Sequence, residues 1–115
     1  VDVVAALPAG TNNIGDVDIL STVLPTLAAT GTVTSQLDQA TNVTLLSSLA
    51  TRKGFRIYND STVTLYVKYG ATATTTDFTV PIAAGGYLEE NHYYGIVDGI
   101  WASDASGSAR ITSLS

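Results

Sequence analysis

Residues 56–70 read RIYNDSTVTLYVKYG, and this stretch contains the clearest strand pattern in the chain. Large apolar side chains occupy every second position of its second half, which is the two-residue period of a half-buried strand. The first half alternates in the same way, and Asn59-Asp60-Ser61 between the two halves is a turn signal. The stretch therefore predicts a β-hairpin whose core-facing residues are Ile57, Val63, Leu65, Val67 and Tyr69, with Tyr58, Tyr66 and Lys68 on the outer face.

Short strand patterns continue through residues 41–115. Charged residues make up 13% of the chain, against roughly 25% in typical soluble domains, and Thr, Ser and Gly replace them. β-branched Thr suits a pleated surface, and Gly supplies tight turns. Pro81 predicts an edge strand or an irregularity, and 47–53 predicts a turn or a single loop of helix. The chain is predicted to be all-β: a small antiparallel β-sandwich, jelly-roll-like or barrel-like, with an extended N-terminal arm. The predicted strands are 43–46, 55–59, 63–69, 78–82, 87–89, 95–102 and 109–114.

Residues 1–40 differ from the rest of the chain, because they contain no Lys or Arg and their short apolar runs are broken by Pro and Gly. We interpret 1–40 as the extended arm and 41–115 as the sandwich body. An apolar, uncharged arm is a poor free tail in water, so it is expected to dock on a neighbouring subunit or on another protein. The residues expected to dock are Val3, Val4, Leu7, Ile14, Val17 and Ile19.

The charge balance limits the classes of partner. The net charge is −5, and only five residues are basic. A nucleic-acid-binding protein normally presents a basic face to the phosphates, so nucleic acid is not an expected partner. No apolar run reaches the ~20 residues that span a bilayer, so no membrane partner is expected.

There is no cysteine for a disulfide or a thiolate metal site. A body of this size has a small core, which favours oligomerisation.

His92 follows Glu89, Glu90 and Asn91, and a histidine beside carboxylates can hold a metal ion. The spacing matches no ligand template, and a solvated Glu-Glu pair is the common alternative. A serine nucleophile would need His92 as its base, but no Gly-x-Ser-x-Gly elbow is present. The aspartates at 60, 77, 98 and 104 mostly lie beside turns, where they accept backbone hydrogen bonds. We therefore expect no catalytic residue, no metal, no cofactor and no enzymatic activity.

Aromatic side chains offer the best candidates for a binding face. Tyr58, Tyr66 and Trp101 could stack on sugars, as aromatic residues do in carbohydrate-binding modules. The alternative is that they lie in a subunit interface, since Tyr and Trp are frequent there. We favour the interface and keep the ligand as an alternative.

Several segments resemble a C-terminal region that recurs in structural proteins of tailed bacteriophages. They are Arg52-Lys53-Gly54, IYNDSTVTLYVKYGATATTTDFTVPIAAGGY at 57–87, GIVDGIWASDASGSARIT at 95–112, and the arm motif ALPAGTNNIGDVD at 6–18. These motifs do not separate head decoration, head fibre, neck and tail roles.

The resemblance implies a non-enzymatic virion structural protein, made in the bacterial host cytoplasm and located on the outer surface of the phage head. The role it favours is a capsid decoration (cement) protein, a homotrimer that stabilises the head by bridging major capsid subunits. The alternatives are a host-receptor or glycan-binding module of a head fibre or tail, or a neck or tail connector subunit. No site residue carries over from the resemblance.

Overall fold

The computed structural model describes residues 27–115, and eight β-strands account for its regular structure. No helix occurs among these residues, so none of them could cross a membrane as a helix. Residues 47–53 form a turn, in which the Arg52 N–H donates to the Leu49 carbonyl at 2.9 Å. The strands are β1 (Gly31–Leu37), β2 (Val43–Leu46), β3 (Gly54–Asp60), β4 (Leu65–Tyr69), β5 (Val80–Ile82), β6 (Tyr87–Glu90), β7 (Val97–Trp101) and β8 (Ser108–Leu114).

The strands form two four-stranded antiparallel sheets that pack together, so the predicted all-β sandwich is confirmed. The first sheet has the order β1-β8-β3-β6 and the second has the order β2-β7-β4-β5. Chain-consecutive strands alternate between the sheets, with the single exception of the β4–β5 hairpin. An eight-stranded double sheet with this winding is a jelly roll. Pro81 lies on β5, an edge strand of the second sheet, as predicted.

The hairpin predicted for 56–70 is wrong. β3 belongs to the first sheet and β4 to the second, so residues 61–64 cross between the sheets instead of turning back along β3. Asn59 is fully buried at this crossing, and its side-chain amide donates to the carbonyls of Val63 at 2.8 Å and Ile82 at 2.9 Å. A buried amide that satisfies carbonyls from two distant segments holds the crossing in place.

The inward-facing residues of 56–70 were predicted correctly, because alternation decides the face even where the partner strand is wrong. Ile57, Leu65 and Val67 are fully buried between the sheets, and Val63 and Tyr69 pack against the same cluster. Gly99 of β7 lies in this core: a Cβ there would be 2.7 Å from the Leu45 Cδ1. The other members of the core are Leu45, Leu46, Phe55, Ile82, Val97, Trp101, Ala109 and Ile111.

The sandwich begins before residue 41. Residues 31–37, predicted as part of the arm, form β1 and pair with β8 along its whole length, from Gly31 opposite Leu114 to Leu37 opposite Ser108. β1 is exposed at six of its seven positions, so it is an edge strand that the second sheet barely covers. The predicted docking residues of the arm, Val3, Val4, Leu7, Ile14, Val17 and Ile19, lie outside the described residues.

Candidate functional site

Trp101 is not an outer-face aromatic, and its prediction as an interface or ligand residue is wrong. Its side chain is fully buried between the sheets, and its indole N–H donates to the Asn59 Oδ1 at 3.2 Å. The cause is the alternation of side-chain direction along the strand. Val97, Gly99 and Trp101 alternate with Asp98 and Ile100 along β7, and the first set faces inward. A buried indole normally finds a hydrogen-bond acceptor, and Asn59 supplies it.

Tyr58 and Tyr66 both lie on outer faces, but of different sheets, so the structure does not bring them together. Tyr66 is partly covered by Phe78, whose ring centroid lies 4.8 Å away. Tyr58 remains 42% exposed and is the direct cross-strand partner of Tyr87, which is 60% exposed. Tyr58 is therefore the one predicted aromatic that is available to a partner.

Ion pairs surround the two exposed tyrosines on the outer face of the first sheet. The Arg56 guanidinium lies 3.0 Å from the Glu89 carboxylate, and the Arg110 guanidinium lies 3.3 Å from the Asp60 carboxylate. The register places Val33 in the same row as Arg56 and Glu89. We name the surface formed by Val33, Arg56, Tyr58, Tyr87, Glu89, Asp60 and Arg110 the tyrosine face. It combines flat aromatic area with arginine, which is the composition of protein-binding surfaces.

The residues considered for a metal site do not all converge, although the Glu90 carboxylate lies 3.9 Å from the His92 Nδ1. Glu89 and Glu90 are neighbours on β6 and point to opposite sides of the first sheet, since Glu89 pairs with Arg56 while Glu90 accepts a hydrogen bond from the inward-facing Tyr69 hydroxyl at 3.0 Å. Residues 27–115 contain no cluster of three or more metal-ligating side chains. Burial and the hydrogen bond to Glu90 raise the pKa of the Tyr69 phenol, with burial the larger cause.

The four aspartates occupy different environments. Asp104 accepts a backbone hydrogen bond from the Ala40 N–H at 2.7 Å, as predicted for a turn residue. Asp77 pairs with Lys68 at 2.7 Å, and Asp60 pairs with Arg110. Asp98 lies in the middle of β7 and is 2% exposed, so the turn interpretation does not apply to it. No two of these carboxylates are placed together for acid–base chemistry by any contact among the described residues.

A groove of about 610 Å³ crosses one end of the first sheet, and no sequence pattern predicted it. β1 and β3 begin there, and β8 and β6 end there. Gly54 lets β3 and β6 approach closely at this point, because a Cβ on Gly54 would be 2.6 Å from the Glu90 carbonyl oxygen. We name it the sheet-end groove. Its lining includes Leu27, Arg52, Lys53, His92, Tyr94 and Leu114.

Arg52 is the most unusual residue of the sheet-end groove, since it is a charged side chain that is only 5% exposed. Its guanidinium donates to the carbonyls of Ser47, Tyr94 and Gly95 and to the Ser113 hydroxyl. No carboxylate pairs with it among residues 27–115. Burial lowers the pKa of Arg52 below its ordinary value, yet an arginine remains charged at neutral pH. The adjacent basic pair Arg52-Lys53 was the only signal in the sequence.

Residues 27–115 therefore form a small jelly roll in which one outer sheet face is exposed and a groove at the end of that sheet contains Arg52 and Lys53. No protein-family model matches the chain, and neither a curated protein nor a solved structure gives a significant match to it.

Proposed function

We propose that the chain is a non-enzymatic structural protein of a bacteriophage virion, and specifically a capsid decoration protein. The observation that carries the proposal is the tyrosine face. Tyr58 and Tyr87 are exposed side by side, and Val33, also on this face, is 65% exposed. An exposed surface of this composition is typical of an interaction site, and the resemblance of residues 52–112 to phage structural proteins supports a virion as its setting.

The proposed mechanism is mechanical. A homotrimer of the jelly roll lies on the outer surface of the head, and its tyrosine faces and arms contact adjacent major capsid subunits. Burial of apolar surface contributes about 25 cal/mol per Å² before the costs of association. Because one trimer holds several subunits at once, each further contact is intramolecular and the attachments reinforce one another. The capsid subunits then separate less easily under the pressure of the packaged DNA.

Co-sedimentation with empty capsid shells tests the proposal. The full chain should sediment with the shells, and a chain lacking residues 1–20 should lose most of its binding, because the predicted docking residues of the arm are removed. A Tyr58→Ser/Tyr87→Ser variant should bind less tightly by at least about tenfold. The matched control is Tyr66→Ser, which removes a tyrosine from the outer face of the second sheet, where Phe78 partly covers it. Unchanged binding of both the shortened chain and the double variant would overturn the proposal.

The tyrosine face also favours one alternative, a glycan-binding module of a head fibre or tail. Two exposed tyrosines flanked by carboxylates and guanidinium groups can stack on a sugar and hydrogen-bond to its hydroxyls. The test is binding to purified host surface polysaccharide. Binding that the Tyr58→Ser/Tyr87→Ser variant loses and Tyr66→Ser retains would establish this alternative, and tight capsid binding without any polysaccharide binding would remove it.

A further inference from the structure

The sheet-end groove contains two cationic side chains, Arg52 and Lys53. Arg52 and Lys53 form no ion pair among residues 27–115, and the Lys53 ammonium donates only to the Thr51 carbonyl at 3.0 Å. Glu90 is the carboxylate that approaches the groove, 3.9 Å from the His92 Nδ1. It accepts hydrogen bonds from the Tyr69 hydroxyl and the His92 backbone N–H, and among the described residues it forms no ion pair with Arg52 or Lys53. The groove therefore suits an occupant that brings its own negative charge.

The walls of the groove are apolar and aromatic. Leu27 is 85% exposed and Tyr94 is 55% exposed, and Leu114 lies at the end of β8 beside them. An occupant that matches both the walls and the basic side must carry acidic groups on one side and apolar groups on the other. An extended peptide with alternating Asp and aliphatic residues has this property, because successive side chains of an extended strand point in opposite directions.

The N-terminal arm contains one such segment. Residues 14–20 read IGDVDIL, in which Asp16 and Asp18 alternate with Val17 and Ile19. The first 26 residues of the chain contain three aspartates and no basic residue. An acidic face of the segment would meet the Lys53 ammonium, with the buried charge of Arg52 behind it, and an aliphatic face would meet the apolar walls.

We propose that the sheet-end groove binds residues 14–20 from the arm of a neighbouring copy, so that the chain assembles by exchange of arms. This inference rests on the proposed function, in which the arm is a docking element. The groove is placed where the arm joins the sandwich: the Ala29 and Thr30 N–H groups both donate to the Ser115 carbonyl, at 2.8 and 2.7 Å, which fixes the start of β1 at the groove.

The arm of a neighbouring copy is a better candidate for the groove than the chain's own arm, because Leu27 and Ala28 of the same chain already line the groove. The chain would have to leave this wall and reverse within residues 21–26 before 14–20 could return to it. An arm from another copy enters without that reversal. Each copy then offers one arm and one groove, which is a head-to-tail contact, and such a contact forms a ring such as the proposed trimer when the rotation between copies closes.

Charge exchange in the full chain tests the recognition. Lys53→Glu should raise the dissociation constant of self-association at least about tenfold, because like charges then face each other in the groove. The paired change Asp16→Lys/Asp18→Lys should do the same alone and should restore association when combined with Lys53→Glu. Lys68→Glu is the matched control, since Lys68 lies on the second sheet, and it should leave association unchanged. Sedimentation equilibrium measures all four, and a combination no better than either parent would overturn the inference.

Disulfide trapping tests the source of the arm, since the natural chain has no cysteine. One chain carries Val17→Cys and a second carries Tyr94→Cys, and the two are mixed and oxidised. We expect a crosslinked product that contains one chain of each kind. No such product, or a bridge that forms only within a single chain carrying both changes, would overturn arm exchange.

The outcome is separable from that of the proposed function. Exchanged arms in a chain that does not bind capsid shells would overturn the proposed function alone. A chain that binds shells through its arm but stays monomeric at every concentration would overturn the exchange alone.

Discussion

The outer faces of the two sheets have the same alternating sequence pattern but different surroundings. The face of the second sheet is covered by the 70–79 connection: Phe78 packs on Tyr66, and Asp77 pairs with Lys68. The Ala73 N–H of the same connection donates to the Asn42 Oδ1 beside β2. β7 lies between β2 and β4, so the connection crosses it. The tyrosine face of the first sheet has no such cover among residues 27–115, and Tyr87 is 60% exposed there.

The difference between the two outer faces shows that an outward-facing position in the alternating pattern is not by itself a binding surface. Tyr58 and Tyr66 occupy equivalent outward positions in the sequence pattern, but Tyr66 lies under the long 70–79 connection, whereas the short connection 61–64 follows the strand of Tyr58. Asp98, also outward in parity, is 2% exposed. A long connection can therefore convert an outer sheet face into a second, minor packing layer.

Asn59→Ala should have the largest effect, because Asn59 joins the two sheets whose faces differ. The change removes the hydrogen bonds to Val63 and Ile82 and leaves the Trp101 indole N–H buried without its acceptor. The free energy of unfolding should fall by about 3 kcal/mol. Asn91→Ala, at an exposed site, is the matched control and should cost less than about 0.5 kcal/mol. Chemical denaturation compares them, and equal costs would show that Asn59 does not hold the crossing.

Phe78→Ala tests the cover directly. It removes the ring that packs on Tyr66 and should lower the free energy of unfolding by about 1.5 kcal/mol. Tyr87→Ala removes an aromatic ring from the uncovered face and should change it by no more than about 0.5 kcal/mol. If Tyr87→Ala proves the more costly change, the assignment of the covered and uncovered faces is wrong.

Tyr69→Phe tests a second join between the sheets, the hydrogen bond from Tyr69 on β4 to Glu90 on β6. Its loss should cost about 1 kcal/mol at neutral pH. The pKa of Tyr69 is raised in the folded protein, so above the ordinary tyrosine pKa of about 10 the unfolded chain binds fewer protons than the folded one. Stability then falls as pH rises further.

Denaturation at a series of alkaline pH values measures this effect. Tyr69→Phe should reduce the loss of stability above about pH 10. Tyr94→Phe, which removes a hydroxyl from an exposed ring, is the matched control. An alkaline profile that is the same for Tyr69→Phe and the wild type would contradict the proposed contribution of Tyr69.

The smallest effects are expected from the ion pairs of the two faces. Asp77→Ala breaks the pair that holds the connection to Lys68, and Glu89→Ala breaks the pair with Arg56 on the tyrosine face. Exposed pairs contribute little, so each change should lower the free energy of unfolding by about 0.5 kcal/mol. Thermal unfolding at low and high salt measures both, and a cost above about 2 kcal/mol for either would show that the pair does more than a surface ion pair.

The sequence predicts which side chains of a strand face the core better than it predicts which strands pair with each other. The two-residue period identified Ile57, Leu65 and Val67 as core because side-chain direction is a local property. The same period could not show that β3 and β4 belong to different sheets, since a turn signal at Asn59-Asp60-Ser61 fits a hairpin and a crossing equally. The bonds of Asn59 to residues 82 and 101 decide between them, and they are long-range.

The binding surfaces were predictable only in part. The parity of β7 was sufficient to place Trp101 inward with Val97, so that error was avoidable. The pairing of Tyr58 with Tyr87 needed the register of β3 and β6. The sheet-end groove combines residues near positions 27, 52, 92 and 114, and no local pattern relates four such distant segments.

The most direct test of the proposed decoration role is the location and symmetry of the chain on the particle. Cryo-electron microscopy of shells with and without the bound chain gives a difference map that shows both. We predict three-fold clusters of additional density on the outer surface of the head, with the tyrosine face against the capsid. Density at the neck with six-fold or twelve-fold symmetry, or no additional density on the shells, would contradict it.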